Sequence, residues 1–228
     1  IRKKVITDFS GPVEGPERKR MFELMRSIDY ELSGNELIAK LRAYKELKQH
    51  LPEFNKKPKI MAFTHGIFLD KDESGFSQGK IHPVEWPNGE LILKFASKAV
   101  ANKILGKIIK ENNLHTWFAL RSKMKELGQI DAKGQKSYNL NLEKAVRKYL
   151  YKQPSFFIVG AGIHPDENSA IWIENNVYMG FGYFNPELTE ATAANLKEVI
   201  KPDEDDTDVQ KIIRRMMRTL KHSKVIPY

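Results

Sequence analysis

The sequence predicts an α+β fold, in which helices and antiparallel strands occupy separate stretches of the chain. Runs rich in β-branched and aromatic residues fall within residues 60–95 and again within 155–184, and turn residues bound each run. Segments with apolar residues at helical spacing lie before, between and after these two regions. Two β-rich regions with helices around them are typical of the α+β class.

The first predicted elements are helices at residues 1–9 and 17–27, where apolar side chains recur at helical spacing. A short half-buried strand is predicted at residues 28–32, because apolar and acidic residues alternate there. Ser33 is the predicted N-cap of a third helix. This helix ends before Pro52, since proline disfavours a helical conformation in the residue before it.

The middle of the chain changes to β-rich runs, which predict strands at residues 60–69, 75–81 and 90–95. Ser97 then caps a helix with apolar residues at helical spacing. A polar stretch at residues 128–136 separates it from a further helix at 141–151.

The last part of the chain alternates strands with helices. Asn175 and Asn176 suit the left-handed backbone angles of a tight hairpin between two of the strands. Thr207 is the predicted N-cap of the last helix. The predicted strands are 155–159, 170–174, 177–184 and an edge strand at 225–226, and the predicted helices are 190–200 and 207–222.

These elements divide into three predicted domains. Residues 1–58 form the first domain, and the Lys56-Lys57-Pro58 run reads as the linker or turn that ends it. Residues 59–152 form a middle region that is β-rich and then helical. Residues 153–228 form a small α+β domain that carries the basic last helix.

Composition excludes several classes of protein. The 228 residues include no cysteine, which excludes disulfides, thiolate metal sites and a cysteine nucleophile. No apolar run approaches the roughly 20 residues of a membrane-spanning helix, so no membrane association is expected. The N-terminus has neither an initiator Met nor a signal-peptide pattern. We therefore expect a cytoplasmic protein and the C-terminal part of a longer chain.

The charge balance favours a polyanionic partner. Lys and Arg number 38 and Asp and Glu number 29, which leaves a formal net charge of +9. Such an excess indicates nucleic acid first and an anionic membrane surface second. A soluble protein that happens to be basic is the alternative interpretation.

The last predicted helix carries the clearest basic pattern. Its apolar residues form one face, and its cations fall largely on the other face, where they could contact phosphates. A solvated helix face is the alternative. The cations of this candidate nucleic-acid-binding face are Lys211, Arg214, Arg215, Arg218 and Lys221.

A second set of cations lies in the first domain, in three runs that are separate in sequence. If the fold brings these runs together, they form a basic patch. The candidate nucleic-acid-binding residues of this set are Lys3, Lys4, Arg18, Lys19, Arg20 and Lys48, and Arg2, Lys45, Lys56 and Lys57 lie in the same runs.

Candidate catalytic groups are few. The six histidines never occur in pairs at metal-ligand spacing, and no Ser–His–Asp pattern is recognisable. The acidic run from Asp203 to Asp208 could bind a divalent cation, or it could decorate a helix N-terminus, where carboxylates are favoured. The residues alone therefore indicate a binding module or an enzyme that has lost its active site.

Residues 30–55 resemble the second half of a GIY-YIG nuclease domain, most closely its UvrC/Cho excinuclease branch. The rest of the chain resembles the C-terminal part of bacterial proteins that fuse a DNA polymerase III epsilon-like 3′–5′ exonuclease to a GIY-YIG domain. The second likeness rests on residues 95–98, 155–160, 171–184 and 208–213. The first likeness rests on Glu36, Leu37, Ala39, Leu41, Lys48, Pro52, Phe54 and Asn55.

The resemblance implies a truncated and degenerate GIY-YIG domain. An intact relative holds Mg²⁺ or Mn²⁺ on a helix glutamate and uses an arginine and often an asparagine. In this chain the glutamate position is Ala43, the arginine position is Lys4, and Asn55 matches the asparagine. The GIY and YIG strands would lie upstream of Ile1. The resemblance thus implies no intact catalytic residue, no metal ligand and no cofactor in this chain, and it leaves open whether the chain has any enzymatic activity.

The leading hypothesis is a DNA-binding, non-catalytic C-terminal portion of an exonuclease- or excinuclease-like protein of DNA repair or replication. Any chemistry would come from an exonuclease domain upstream in the same polypeptide. The alternative is a protein–protein docking module that tethers a DNA-processing enzyme. A third possibility is an active nuclease whose ligands have moved to the acidic run between Asp203 and Asp208.

Overall fold

The computed structural model describes residues 6, 9–11, 15–55, 62–114, 122–123, 126, 132–219 and 224–228. The predicted α+β class is confirmed, because the described helices accompany two antiparallel sheets. The described helices are α1 (Pro16–Leu24), α2 (Glu36–His50), α3 (Lys98–Glu111), α4 (Ala132–Arg147), α5 (Ala193–Val199) and α6 (Thr207–Met217). The strands are β1 (His65–Lys71), β2 (Ser77–Pro83), β3 (Glu90–Phe95), β4 (Phe156–Ala161), β5 (Asn168–Glu174), β6 (Val177–Phe184), β7 (Ile200–Pro202) and β8 (Lys224–Pro227).

The first sheet has three antiparallel strands in the order β2-β1-β3, and α3 and α4 pack against it. Its core joins Ile67 and Phe76 to Ile108 of α3 and Leu142 of α4. The predicted cap of α3 is confirmed, since the Ser97 side chain accepts a hydrogen bond from the Val100 amide. Apolar residues at helical spacing on α3 and α4 thus cover the apolar face of this sheet.

The second sheet has five antiparallel strands in the order β7-β6-β5-β4-β8. Asn175 and Asn176 join β5 to β6 with φ angles of 49° and 65°, which confirms the hairpin that this pair predicts. The predicted edge strand near the C-terminus is also confirmed, because β8 pairs with β4 and places Ile226 opposite Phe157. Alternate residues of these strands therefore point to the two faces of one sheet.

Helices cover both faces of the five-stranded sheet. On one face, α2 and α6 pack side by side, and Leu41 and Ile213 share a buried cluster with Ile171. On the other face, Leu196 of α5 packs in a cluster with Phe157. The helix α2, which belongs to the first predicted domain, thus shares its core with the sheet of the third. The division of the chain after residue 58 stays a prediction.

The predicted strand at residues 28–32 is wrong. Residues 25–33 have no regular structure, and the side chains of Ile28 and Tyr30 are exposed. A strand needs a neighbour with which to exchange backbone hydrogen bonds, and neither described sheet includes this segment. Instead, Arg42 of α2 pairs with Glu31.

The N-cap of α2 is Asn35 and not the predicted Ser33. The Asn35 side chain accepts from the Ile38 amide at 3.1 Å, and its amide group donates to the Ala161 carbonyl at 2.9 Å. Gly34 adopts a φ of +74°, and a Cβ at this position would overlap the backbone of Gly162. The end of β4 and Gly162 after it therefore decide where α2 begins, and these contacts are not visible in the local sequence.

Several other boundaries differ from the prediction because tertiary contacts decide where a helix or strand ends. Residues 132–136, predicted as a polar loop, belong to α4, and the predicted continuation of α4 through residue 151 is wrong. The predicted helix at residues 1–9 lies largely outside the described residues. Two helices end earlier than predicted, α1 at Leu24 and α6 at Met217. The N-cap of α6 is Asp206 and not the predicted Thr207. Regular structure begins later than predicted in β1, at His65, and in α5, at Ala193. No helix among the described residues is long and apolar enough to cross a bilayer.

Candidate nucleic-acid interface

A groove with a volume of about 1,030 Å³ lies between the C-terminal ends of α3 and α6. The segment that follows α4 forms one wall, and β4 and β8 contribute the floor. We call this site the basic groove. It is lined by Lys107, Glu111, Asn112, Lys148, Tyr149, Leu150, Tyr151, Lys152, Gln153, Phe156, Arg214, Met217, Arg218, Val225 and Pro227.

Charge in the basic groove is strongly unbalanced toward the positive. Among the described residues, its lining includes five cationic side chains and one carboxylate, that of Glu111. Cations that line one concave surface reinforce one another and create a positive potential there. The five cations are Lys107, Lys148, Lys152, Arg214 and Arg218.

Glu111 is already engaged by neighbouring groups. Its carboxylate accepts a hydrogen bond from the Tyr149 hydroxyl at 2.7 Å and lies 3.5 Å from the Lys107 ammonium. The hydrogen bond from Tyr149 lowers the pKa of Glu111, while burial and then the same hydrogen bond raise the pKa of Tyr149 to about 12. Both groups therefore keep one protonation state near neutral pH, and the groove keeps its charge.

Arg214 is the most firmly held cation of the groove. Its guanidinium donates to the Tyr149 carbonyl at 2.7 Å and lies 4.5 Å from the centre of the Tyr151 ring. The Tyr151 hydroxyl in turn donates to Gln210 at 2.7 Å, and its ring meets Phe156 edge-on. These contacts fix one positive charge at the wall of the groove, whereas Lys152 and Arg218 are exposed.

The apolar face predicted for the last helix is confirmed for its described residues, since Val209, Ile213 and Met216 are buried. The predicted cations do not all lie together. Arg214 and Arg218 line the basic groove, whereas Lys211 lies outside it and pairs with Asp208 at 2.7 Å. Arg215 is exposed and is not part of the groove lining, and Lys221 lies outside the described residues.

The cations predicted in the first domain do not line the groove. Lys48 is engaged between acidic groups, 2.7 Å from Glu204 and 3.4 Å from Asp206, and these contacts raise its pKa. Arg20 pairs with Glu53 at 3.2 Å on the surface, which brings α1 beside the end of α2. Arg18, Lys19 and Asn55 are exposed, and Lys3 and Lys4 lie outside the described residues.

The position that resembles the nuclease glutamate is exposed. Ala43 lies on α2, on the side away from the buried residues Leu37 and Leu41. Lys4 lies outside the described residues. The correspondence of Ala43, Lys4 and Asn55 with the nuclease residues therefore stays a prediction.

The acidic run before α6 serves as helix cap and ion-pair partner. Asp206 is buried and accepts hydrogen bonds from the amides of Asp208 and Val209, both at 2.9 Å, and from the Tyr44 hydroxyl at 2.9 Å. Asp203 pairs with Lys45 at 3.2 Å. Across the described residues, no group of three or more His, Asp or Glu side chains is arranged to hold a metal ion.

Sequence reasoning missed the larger part of the basic groove. Lys107, Lys148 and Lys152 were not singled out, nor were the two tyrosines beside them. A local signal exists, because residues 147–152 read Arg-Lys-Tyr-Leu-Tyr-Lys, in which cations and aromatic rings alternate with little interruption. The contribution of Lys107 has no such signal, since only the packing of α3 brings it to this site.

Comparison of the chain with protein-family models, with curated proteins and with solved structures found no match.

Proposed function

We propose that this chain binds DNA through the basic groove and acts as the non-catalytic, DNA-binding portion of a DNA-processing nuclease. The observation that carries the proposal is a groove whose described lining holds five cations, one carboxylate and two tyrosine side chains. The net charge of +9 supports it as well, because a surplus of cations attracts a polyanion from a distance.

The chemistry of the groove suits a phosphate backbone. Lys152 and Arg218 are exposed, and the Lys148 ammonium donates to a neutral group, the Asn112 side chain, at 2.8 Å. These ammonium and guanidinium groups can contact phosphates without first breaking an ion pair with a carboxylate. Arg214 is held by Tyr149 and Tyr151, so it presents a preorganised charge.

The non-catalytic part of the proposal rests on the residues that replace the nuclease pattern. Ala43 has no group that can ligate a cation, and its neighbours on the exposed side of α2 do not supply a cluster of carboxylates. The acidic groups near α6 are engaged as caps and ion pairs. Binding is therefore the activity that we assign to the chain.

Fluorescence anisotropy with labelled single-stranded and duplex oligonucleotides tests the proposal. We expect binding at low salt. The logarithm of the association constant should fall linearly with the logarithm of the salt concentration, with a slope that reflects several phosphate contacts. The double variant K152E/R218E reverses two groove charges and should weaken binding at least tenfold. The matched control R26E/K71E makes the same change of net charge at exposed residues away from the groove and should weaken binding far less.

Two outcomes would contradict the proposal. One is the absence of binding at low salt, since phosphate contacts are strongest there. The other is an equal loss of affinity in K152E/R218E and in R26E/K71E, which would reveal attraction to net charge and no dedicated groove.

A second candidate function, protein docking, is favoured by an exposed apolar segment. Leu24, Ile28, Tyr30 and Leu32 are each more than half exposed, and they fall within nine residues of one another. Clusters of exposed apolar side chains mark interaction surfaces. A pull-down with the wild-type chain and with I28D/L32D tests this candidate: a partner that is retained by both proteins does not use this segment.

A further inference from the structure

A second cavity lies beside the basic groove, between β3 and the N-terminal half of α6. Its volume is about 670 Å³, which falls in the range typical of small-molecule pockets. We call it the apolar cleft. One wall is apolar and consists of Leu91, Leu93 and Phe95 of β3 and Ile104 of α3, while the opposite wall includes the β5–β6 turn.

The apolar cleft and the basic groove meet at one place. Tyr149, Leu150 and Arg214 line both cavities. Because the Tyr149 carbonyl and the Tyr151 ring hold Arg214, a fixed positive charge stands at the junction. A nucleic-acid strand bound in the groove would therefore have a fixed cation available for one of its phosphates at the point where the cleft opens.

The lining of the apolar cleft combines features that suit a nucleotide. Arg147 of the lining pairs with Glu90 at 2.9 Å, and Lys211 pairs with Asp208 at 2.7 Å. Lys94 and Arg214 make no ion pair among the described residues, and they are the cations of the lining that can face an anion. The apolar wall can receive the face of a base, because burial of an aromatic ring against aliphatic side chains is favourable.

We propose that the apolar cleft receives an unstacked nucleotide of a DNA single strand whose backbone lies in the basic groove. This inference rests on the proposed DNA-binding function and narrows its substrate to DNA with a free single-stranded end or an unpaired base. A fully paired duplex keeps its bases stacked inside and presents none to the cleft.

Oligonucleotides with 2-aminopurine test the inference, because this base becomes more fluorescent when it is unstacked. Single strands would carry it at the 5′ end, at the 3′ end or at the centre, and anisotropy on the same samples would report overall binding. We expect a fluorescence change of at least twofold at one position and little change at the others. Deoxyadenosine monophosphate should reduce that change at concentrations that leave the anisotropy unaltered.

A variant that fills the cleft separates this inference from the proposed function. Val100 lies at the mouth of the cleft and is 42% exposed, so V100W should fold and obstruct entry. It should abolish the 2-aminopurine change and alter the affinity less than threefold. The control L140W places the same side chain at an exposed position of α4 outside the cleft and should behave as the wild type.

Photo-crosslinking on the unaltered protein gives an independent test. A 5-iododeoxyuridine at the responsive position should attach to peptides from β3, α3 or the β5–β6 turn. Attachment elsewhere, a signal that survives in V100W, or equal fluorescence changes at all three positions would each overturn the nucleotide site while leaving DNA binding intact. Loss of binding to every oligonucleotide would overturn the proposed function itself.

Discussion

The guanidinium of Arg214 lies 4.5 Å from the centre of the Tyr151 ring, and the two residues join α6 to the segment that follows α4. The Tyr151 hydroxyl donates a hydrogen bond to the side chain of Gln210, which lies on the same helix as Arg214. Burial raises the pKa of Tyr151 to about 12, so its hydroxyl remains a donor across the ordinary pH range. One aromatic side chain thus contacts two residues of α6, Arg214 and Gln210.

This contact predicts that Arg214 stabilises the fold as well as the groove. Arg214→Gln removes a cation–π contact and a charge-assisted hydrogen bond, which together should lower the free energy of unfolding by about 2 kcal/mol. Arg218→Gln, one turn further along and exposed, should change it by less than about 0.5 kcal/mol. Urea unfolding of both variants measures the difference. Equal stabilities would show that the Arg214 contacts contribute nothing.

Because α2 and the five-stranded sheet share one core, a substitution in the helix should destabilise the sheet. Leu41 is 3% exposed and packs in a cluster with Ile171 of β5. Leu41→Ala should lower stability by about 2–5 kcal/mol and speed amide hydrogen exchange in β5. Gln49→Ala, at an exposed position of the same helix, is the control. Unchanged exchange in β5 would mean that α2 is not part of that core.

The cap of α6 predicts a large effect for a single carboxylate. Asp206→Ala removes the acceptor of two backbone amides and leaves the Tyr44 hydroxyl without its partner, so we expect a loss of about 2–4 kcal/mol. Asp206→Asn keeps an acceptor for the amides and should lose less. Asp208→Ala, which breaks an exposed ion pair with Lys211, should cost about 0.5 kcal/mol. Thermal unfolding ranks the three, and a different order would contradict the role of Asp206.

Asp205 predicts a specific dependence of stability on pH. Burial raises its pKa from 3.8 to about 6, so the folded state binds more protons than the unfolded state between these two values. The contribution of Asp205 to the free energy of unfolding is therefore greatest below pH 3.8 and falls as the pH rises toward 6. The fall should be on the order of 1–2 kcal/mol after allowance for partial exposure of the carboxyl group.

The asparagine variant isolates that effect from other titrating groups. Asp205→Asn should show a smaller fall in stability between pH 4 and pH 7 than the wild type, and the difference between the two profiles should have its midpoint at about pH 5, halfway between the unfolded and folded pKa values. Denaturant unfolding at closely spaced pH values measures it. Parallel profiles would show that the Asp205 carboxyl titrates alike in both states.

The sequence by itself determined the features that depend on local chemistry. Ser97 marks the start of α3, because a hydroxyl before an apolar periodic segment satisfies a free amide wherever the helix packs. Asn175 and Asn176 fix the β5–β6 hairpin, since they tolerate the left-handed angles that the turn needs. The apolar face of α6 is likewise visible in the spacing of its buried residues.

Only the tertiary structure decided the features that depend on distant partners. Ile28–Leu32 alternates like a strand, yet neither of the two described sheets includes it. Asn35 replaces Ser33 as the cap because the last residue of β4, more than a hundred residues away, accepts a hydrogen bond from its side chain. The basic groove also depends on distant partners. Lys107, Lys148 and Arg218 belong to three segments that come together only when the helices have packed against both sheets. Spacing along a chain records local periodicity, and it does not record which distant surfaces will touch.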